Sequence, residues 1–400
     1  MRIFDKTNIL LPEGVDMHKW SVVACDQYTS QPEYWERVRA AVGTSPSTLN
    51  IVYPEAFLSE GDARISEINK TMKDYIDRGL FAELRDSLIY VERQVNCGKV
   101  RRGLVGAVDL EGYDFAKGSK SEIRATEGTV PERIPPRVKI RENAPLELPH
   151  AILLINDSEN LVLSGIDKSR PLYDFDLCEG GGHISGWRLK GEEADMVLER
   201  LDEYASRAKD NLIFAVGDGN HSLAAAKVCW ENVKKGLRDS EKLTHPARFC
   251  LVEIENIYDE ALEFEPIHRV VFGEKPEEVS AALKKYYDTQ AVPADGCQEI
   301  VCVFGSSEEH IFIKNSSSEL TVGTLQKFID DMGYNTDYIH GEDIVRKLAK
   351  DDCVTGFLLP APNKADLFET VISDGALPRK TFSMGEANEK RFYLEAKKIK

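Results

Sequence analysis

Apolar Ile213-Phe-Ala-Val216 runs straight into Gly217-Asp-Gly-Asn-His-Ser222 and then into a run of helix formers that starts at Leu223. That order dictates a short buried strand, a tight polar turn and a helix, with Ser222 or Asn220 available as N-cap. The helix N-terminus then stands at the C-terminal end of the strand. Its unpaired N–H groups and dipole suit an anion. Gly217 and Gly219 let a phosphate approach the backbone closely. Asp218 and His221 put a metal-binding or acid–base pair on the same turn. The same residues also suit an ordinary βα turn, where Gly and Asn serve the backbone alone. The histidine beside the aspartate on so short a turn makes it a candidate site.

A chain of 400 residues can bury a large core and divide into two or more domains. Its formal net charge of −17 argues against a nucleic-acid surface as its main business. The eight cysteines are scattered without a C-x-x-C pair, which reads as reduced, mostly buried thiols. The first residues lack the apolar core of a signal peptide, and no apolar run approaches a membrane span. The expectation is a soluble cytoplasmic protein that uses no membrane.

Along the chain, Trp20 to Cys25 reads as a strand that runs into Asp26-Gln-Tyr-Thr-Ser-Gln-Pro-Glu33. Pro32 then opens a helix on which Tyr34, Trp35, Val38 and Val42 recur at helical spacing. This second strand-to-helix turn carries Asp26, Glu33 and Glu36, fit to hold a metal, a hydroxyl substrate or a general base. Equally, it is a capped helix with an acidic first turn. Leu49 to Tyr53 reads as a strand and Asp62 onward as a long amphipathic helix. Two strands flank a turn at Asn96-Cys-Gly98. The polar stretch from Gly118 to Glu147 reads as a surface excursion or functional loop. It holds Arg124, Glu127 and Thr129, a set suited to a phosphorylated ligand because arginine grips phosphate oxygens in bidentate fashion. Glycine-rich Leu177 to Trp187 reads as a hairpin, with His183 structural.

Phe264 to Phe272 reads as a strand carrying His268 and Arg269. Neighbours on a strand point to opposite faces, so at most one of them faces a given pocket. Helices and strands then alternate to Ser373. Arg379, Lys380, Thr381 and Ser383 gather near the end. The class is α/β or α+β, with the seam expected at Phe272-Gly-Glu-Lys-Pro276, giving domains 1–272 and 273–400.

Asp218-Gly-Asn-His221 after a buried strand resembles the D-G-H-H-R signature of the family catalogued as domain of unknown function 1015. Four further stretches, in that family's order, are similar to its motifs: Val23-Ala-Cys-Asp-Gln-Tyr-Thr-Ser30, Arg124-Ala-Thr-Glu-Gly-Thr129, Pro266-Ile-His-Arg-Val-Val271 and Leu377-Pro-Arg-Lys-Thr-Phe382. The resemblance implies a ParB/sulfiredoxin-like nucleotide-binding core, with a second, smaller α/β domain. It also implies an activity like that of the free L-serine kinases, which use ATP or ADP with Mg²⁺ to make O-phosphoserine. Two departures stand out. Ser222 occupies the place of the signature's arginine, and Asp26-Gln27 replace a Pro-Pro pair.

The expected function is thus a nucleotide-dependent phosphotransferase acting on a small, amino-acid-like hydroxyl metabolite. Such chemistry needs a phosphate cradle, placed cations and a carboxylate on the acceptor hydroxyl. The cradle is Gly217, Asp218, Gly219, Asn220, His221 and Ser222, with His221 donating to phosphate. Asp26 or Glu33 orients the hydroxyl, and Asp218 or Glu127 holds Mg²⁺. Arg124, Thr129, His268, Arg269 and Lys380 complete the candidate nucleotide contacts. The alternative is a non-catalytic nucleotide-dependent regulator or ligand sensor of ParB-like fold. Oligomeric state is left open.

Overall fold

The structure, a computed structural model, describes residues 2–95, 98–378 and 380–400. It is a mixed α/β protein that divides into two compact units. The first runs to Ala125 and takes in Thr129–Leu262 and Gly385–Lys400; the second comprises Thr126–Gly128 and Glu263–Met384. The expected seam at Phe272 to Pro276 is therefore displaced. Strand Phe264–Phe272 pairs on one edge with Asn335–His340 and on the other with Val354–Leu358. It is internal to the second unit's sheet and cannot be parted from it. The last sixteen residues, Gly385–Lys400, rejoin the first unit.

In the first unit, helix α1 is Pro32–Val42. Long strands β1 (Phe81–Gln94) and β2 (Val100–Asp109) pair antiparallel, Ile89 opposite Val105. They form the expected hairpin, whose turn residues Asn96 and Cys97 lie outside the described residues. Next come β3 (Ile123–Ala125), helix α2 (Ile134–Arg141), β4 (Ile152–Ile155), β5 (His183–Lys190), helix α3 (Glu192–Ser206) and β6 (Phe214–Asp218). Helix α4 (Asn220–Lys234) and β7 (Phe249–Asn256) close the set. These strands share one large sheet in the order β5-β1-β2-β7-β4-β6-β3, with short strands at either edge. Strand β6 runs parallel to β3 and antiparallel to β4. Apolar side chains fill both faces: Leu88, Leu104, Leu153, Phe214 and Trp230 are among those fully buried on one side. Val23, Trp35, Ile89, Val105 and Leu394 are buried on the other.

Three sequence expectations change. Leu49 to Tyr53 is no strand; Ser47 caps a single 3₁₀ turn at Thr48–Asn50 and the apolar residues bury themselves irregularly. The strand expected from Trp20 shortens to Val22–Val23, since Asp16 caps a helical turn at Met17–Trp20. The polar stretch from Gly118 is ordered by β3 and by α2, whose prolines 135 and 136 lie in the first turn, where a missing N–H costs nothing. Helix α2 packs on α4, and that contact builds one wall of the site.

The second unit has a seven-stranded sheet among the described residues, in which Phe264–Phe272 lies between Val354–Leu358 and the edge strand Asn335–His340. No described helix is long and apolar enough to cross a membrane.

Candidate functional site

Strand β6 is buried at Phe214, Ala215 and Val216, and its pairing to β4 slips between Val216 and Asp218, leaving Gly217 in a bulge. Gly219 follows at φ +74, a left-handed conformation that caps α4 without any side chain. Neither Ser222 nor Asn220 is the N-cap; the N–H groups of Ser222 and Leu223 fold back onto the Gly219 carbonyl. A Cβ at Gly219 would lie 2.7 Å from Ala151 Cα and 2.8 Å from His150 Cδ2. This glycine is therefore required by close packing onto the start of β4. The packing brings His150 to the beginning of α4.

Asp218 turns Oδ1 onto the Gly219 N–H at 2.8 Å and places Oδ2 3.5 Å from Lys390 Nζ. Lys390 is positioned by Arg93, a buried guanidinium that donates to the carbonyls of Gly181, Asn388, Glu389 and Lys390. His221 accepts the Val130 N–H on Nε2 at 3.1 Å, which leaves the ring proton on Nδ1. Burial first, then the neighbouring Arg137 and Arg133, push His221 down to about 4. The ring is a neutral donor at ordinary pH. Beside Val130, the Thr129 hydroxyl oxygen is buried with no hydrogen-bond partner among the described residues.

Asp26 follows the short strand Val22–Val23, which pairs with Phe392–Tyr393. Its Oδ1 accepts from Gln27 Nε2 at 2.9 Å, and its Oδ2 stands 3.4 Å from His150 Nε2. The other imidazole nitrogen is 2.5 Å from the Tyr393 hydroxyl. That hydroxyl also takes the Cys25 N–H and donates to Cys25 Sγ, each at 3.2 Å. Burial raises the Asp26 carboxyl, but the His150 charge and the hydrogen bonds from His150 and Gln27 outweigh it and hold the acid well below its usual range. Burial works against the His150 imidazolium too; the Tyr393 and Asp26 oxygens at its two nitrogens raise it well above its usual value. The result is a fixed chain, Asp26–His150–Tyr393–Cys25.

This chain borders a cavity of about 160 Å³. Cys25, His150, Ser222 and Tyr393 line one part of it; Ile51, Met72, Ile140, Leu146 and Leu148 are among the apolar residues lining the rest.

Other expected site residues have different duties. Arg124 is buried and commits its guanidinium to Asp210 and the Ser121 carbonyl, tying β3 to the turn ahead of β6. It is a structural staple. Glu33 is exposed on the first turn of α1. Glu127, His268, Arg269 and Lys380 belong to the second unit. His268 is buried and accepts the Leu359 N–H on Nδ1 at 3.1 Å. Arg269, fully buried, bonds Gln326 and the carbonyls of Ile267 and Lys380. Both neighbours on that strand serve its packing. Of the two carboxylates expected to hold magnesium, Asp218 is engaged by Gly219 and Lys390, and no group of three or more metal-binding side chains occurs among the described residues.

His150, Tyr393, Arg137 and Lys390 were not legible as site residues. His150 gave one signal, a histidine placed immediately before a buried apolar strand. Tyr393 and Lys390 come from a tail whose return to the first unit has no local signature.

A sequence family described as "Protein of unknown function (DUF1015)" matches residues 10–332. No curated protein matches the sequence. Among solved structures, the chain is similar to SbnI with C-terminal truncation from Staphylococcus aureus, at 9% identity and TM-score 0.37, covering 72% of this chain and 82% of that one. A free serine kinase in complex with AMP is similar at 13% identity and TM-score 0.36, covering 72% and 92%. A conserved hypothetical protein from Pyrococcus furiosus is similar at 12% identity and TM-score 0.33, covering 70% and 91%.

Proposed function

The chain belongs to the DUF1015 family, and from its site we propose that it is a nucleotide-dependent phosphotransferase acting on a small hydroxyl compound. One observation carries this reading: the start of α4 and an oriented carboxylate share the ring of His150, which packs on Gly219 and faces Asp26. A phosphate has donors waiting at one place. The neutral His221 Nδ1–H and the buried Thr129 hydroxyl, at the start of α4, would hold it. Arg133 would add positive charge beside His221. A bound nucleotide supplies the transferable phosphoryl group.

Asp26 would orient the acceptor hydroxyl. Held ionised by His150, it is a weak base and a permanent hydrogen-bond acceptor. That suits a loose phosphoryl-transfer transition state, which asks for placement more than for a strong base. His150 keeps Asp26 charged, and Tyr393 keeps His150 in place. Ser222 and Cys25 line the adjoining cavity, where an acceptor would sit.

The test is incubation with ATP or ADP, Mg²⁺ and a panel of hydroxyl compounds including L-serine, read by phosphorus NMR. A new phosphate monoester that disappears in Asp26→Asn supports the proposal. Tight nucleotide binding with no transfer to any acceptor selects the regulator or sensor reading instead.

A further inference from the structure

The cavity beside His150 has a character that the phosphotransfer reading leaves unused. Apart from its polar part, it is walled by Ile51, Val52, Leu58, Met72, Ile140 and Leu146. Its charged lining residues neutralise one another. Arg137 pairs with Glu55, and Arg141 with Glu147; His150 pairs with Asp26 just outside the wall. No unbalanced charge is left to greet a charged end group, and burying one there without a partner is costly. The volume, about 160 Å³, is that of cavities that accept a benzene-sized guest. Small side chains keep it open on the α4 side, where Ser222 and Ala225 face it.

We infer that the cavity holds the uncharged apolar arm of the phosphoryl acceptor, so that the substrate is an alcohol or hydroxy acid bearing a short aliphatic or aromatic group. Free serine would leave this space unfilled. The inference rests on the phosphotransfer reading for the word acceptor, and on the cavity alone for the apolar arm. Geometry gives the polarity of binding. The hydroxyl lies toward the Asp26–His150 end, where Cys25, Ser222 and Tyr393 line the wall, and the arm runs toward Met72 and Leu146.

The experiment measures binding and transfer separately. Calorimetry on the full chain with n-alkanols from ethanol to hexanol, and with benzyl alcohol, should show affinity rising about fourfold per methylene until the space is full (about 0.8 kcal/mol each). Ala225→Phe, which fills the cavity from α4, should weaken pentanol or benzyl alcohol at least tenfold while ADP affinity stays within twofold. Ala144→Leu fills it from another wall and guards against a misfolded first variant. Affinity independent of chain length, or equal in wild type and both filled variants, overturns the cavity assignment. Phosphorylation of serine at the same rate in wild type and Ala225→Phe overturns the acceptor class while phosphotransfer stands. Length-dependent binding without transfer from ATP or ADP to any alcohol overturns the phosphotransfer reading and leaves the cavity a ligand site.

Discussion

Replacing Asp26 by Asn tests the charge arrangement at the centre of the site without requiring a known substrate. Asp26 Oδ2 and His150 Nε2 are 3.4 Å apart, with side chains 25% and 10% exposed. At that separation a unit charge pair is worth roughly 5 kcal/mol at an effective dielectric of 20 and roughly 1 kcal/mol in bulk water. A mostly buried pair with one edge still open to solvent sits between these limits, at about 2 kcal/mol. Since 1.4 kcal/mol is about one pH unit, the His150 midpoint should fall by about one to two pH units in Asp26→Asn. The assay is a histidine titration followed by NMR on ring carbon and proton shifts, with His150→Gln assigning the resonance. Direction matters as much as size: loss of the carboxylate must lower the midpoint. If His150 titrates at the same pH in both proteins, the two groups are not paired and Asp26 is not held ionised as described. The same variant should bind ADP nearly as well as wild type and lose on the order of 10²–10⁴ in transfer rate.

Gly219→Ala meets both the left-handed φ and the Ala151 backbone, whereas Gly14→Ala meets a similar φ of +68 with nothing within 4 Å. The first should cost at least about 2 kcal/mol more than the second, whose strain alone is about 1–2 kcal/mol; equal urea midpoints would refute close packing on β4. His221 takes its proton near pH 4 when folded and near 6.5 when unfolded, so the unfolded chain holds the extra proton between those values. Stability is therefore lost as pH falls through that window, on the order of 2 kcal/mol after discounting for the ring's partial exposure, and His221→Gln should flatten that limb of the stability profile. His221→Ala should also weaken ADP about tenfold by removing one donor to a charged group; unchanged affinity places the phosphates elsewhere.

Local pattern told most about elements whose apolar run and turn chemistry agree. Phe264 to Phe272 occupies the bounds its sequence implies, and Pro32 opens α1 as its fixed φ predicts. Leu49 to Tyr53 shows the limit of that logic: a short buried apolar run is as compatible with irregular packing as with a strand. Within the site, Asp26, Asp218 and His221 were readable because each sits on a strand-to-helix turn. His150 and Tyr393 were not, because their roles arise from pairings between Val22–Val23 and Phe392–Tyr393 that no local spacing encodes.

Charge shows most clearly why residue type alone is an incomplete guide. Arg124 has the right chemistry for phosphate, yet its guanidinium closes on Asp210 and Ser121, because β3 needs a tie to the chain that feeds β6. Arg269 has the same chemistry and is spent on carbonyls within its own unit. The cations that do act on His221 are Arg133 and Arg137. They stand there because α2 packs on α4, and they come from a proline-bearing stretch that reads as loop. The signature's arginine, absent at Ser222, would have pointed from α4 into the space now lined by Ser222 and Ala225. The small residue at 222 keeps that cavity open on the α4 side.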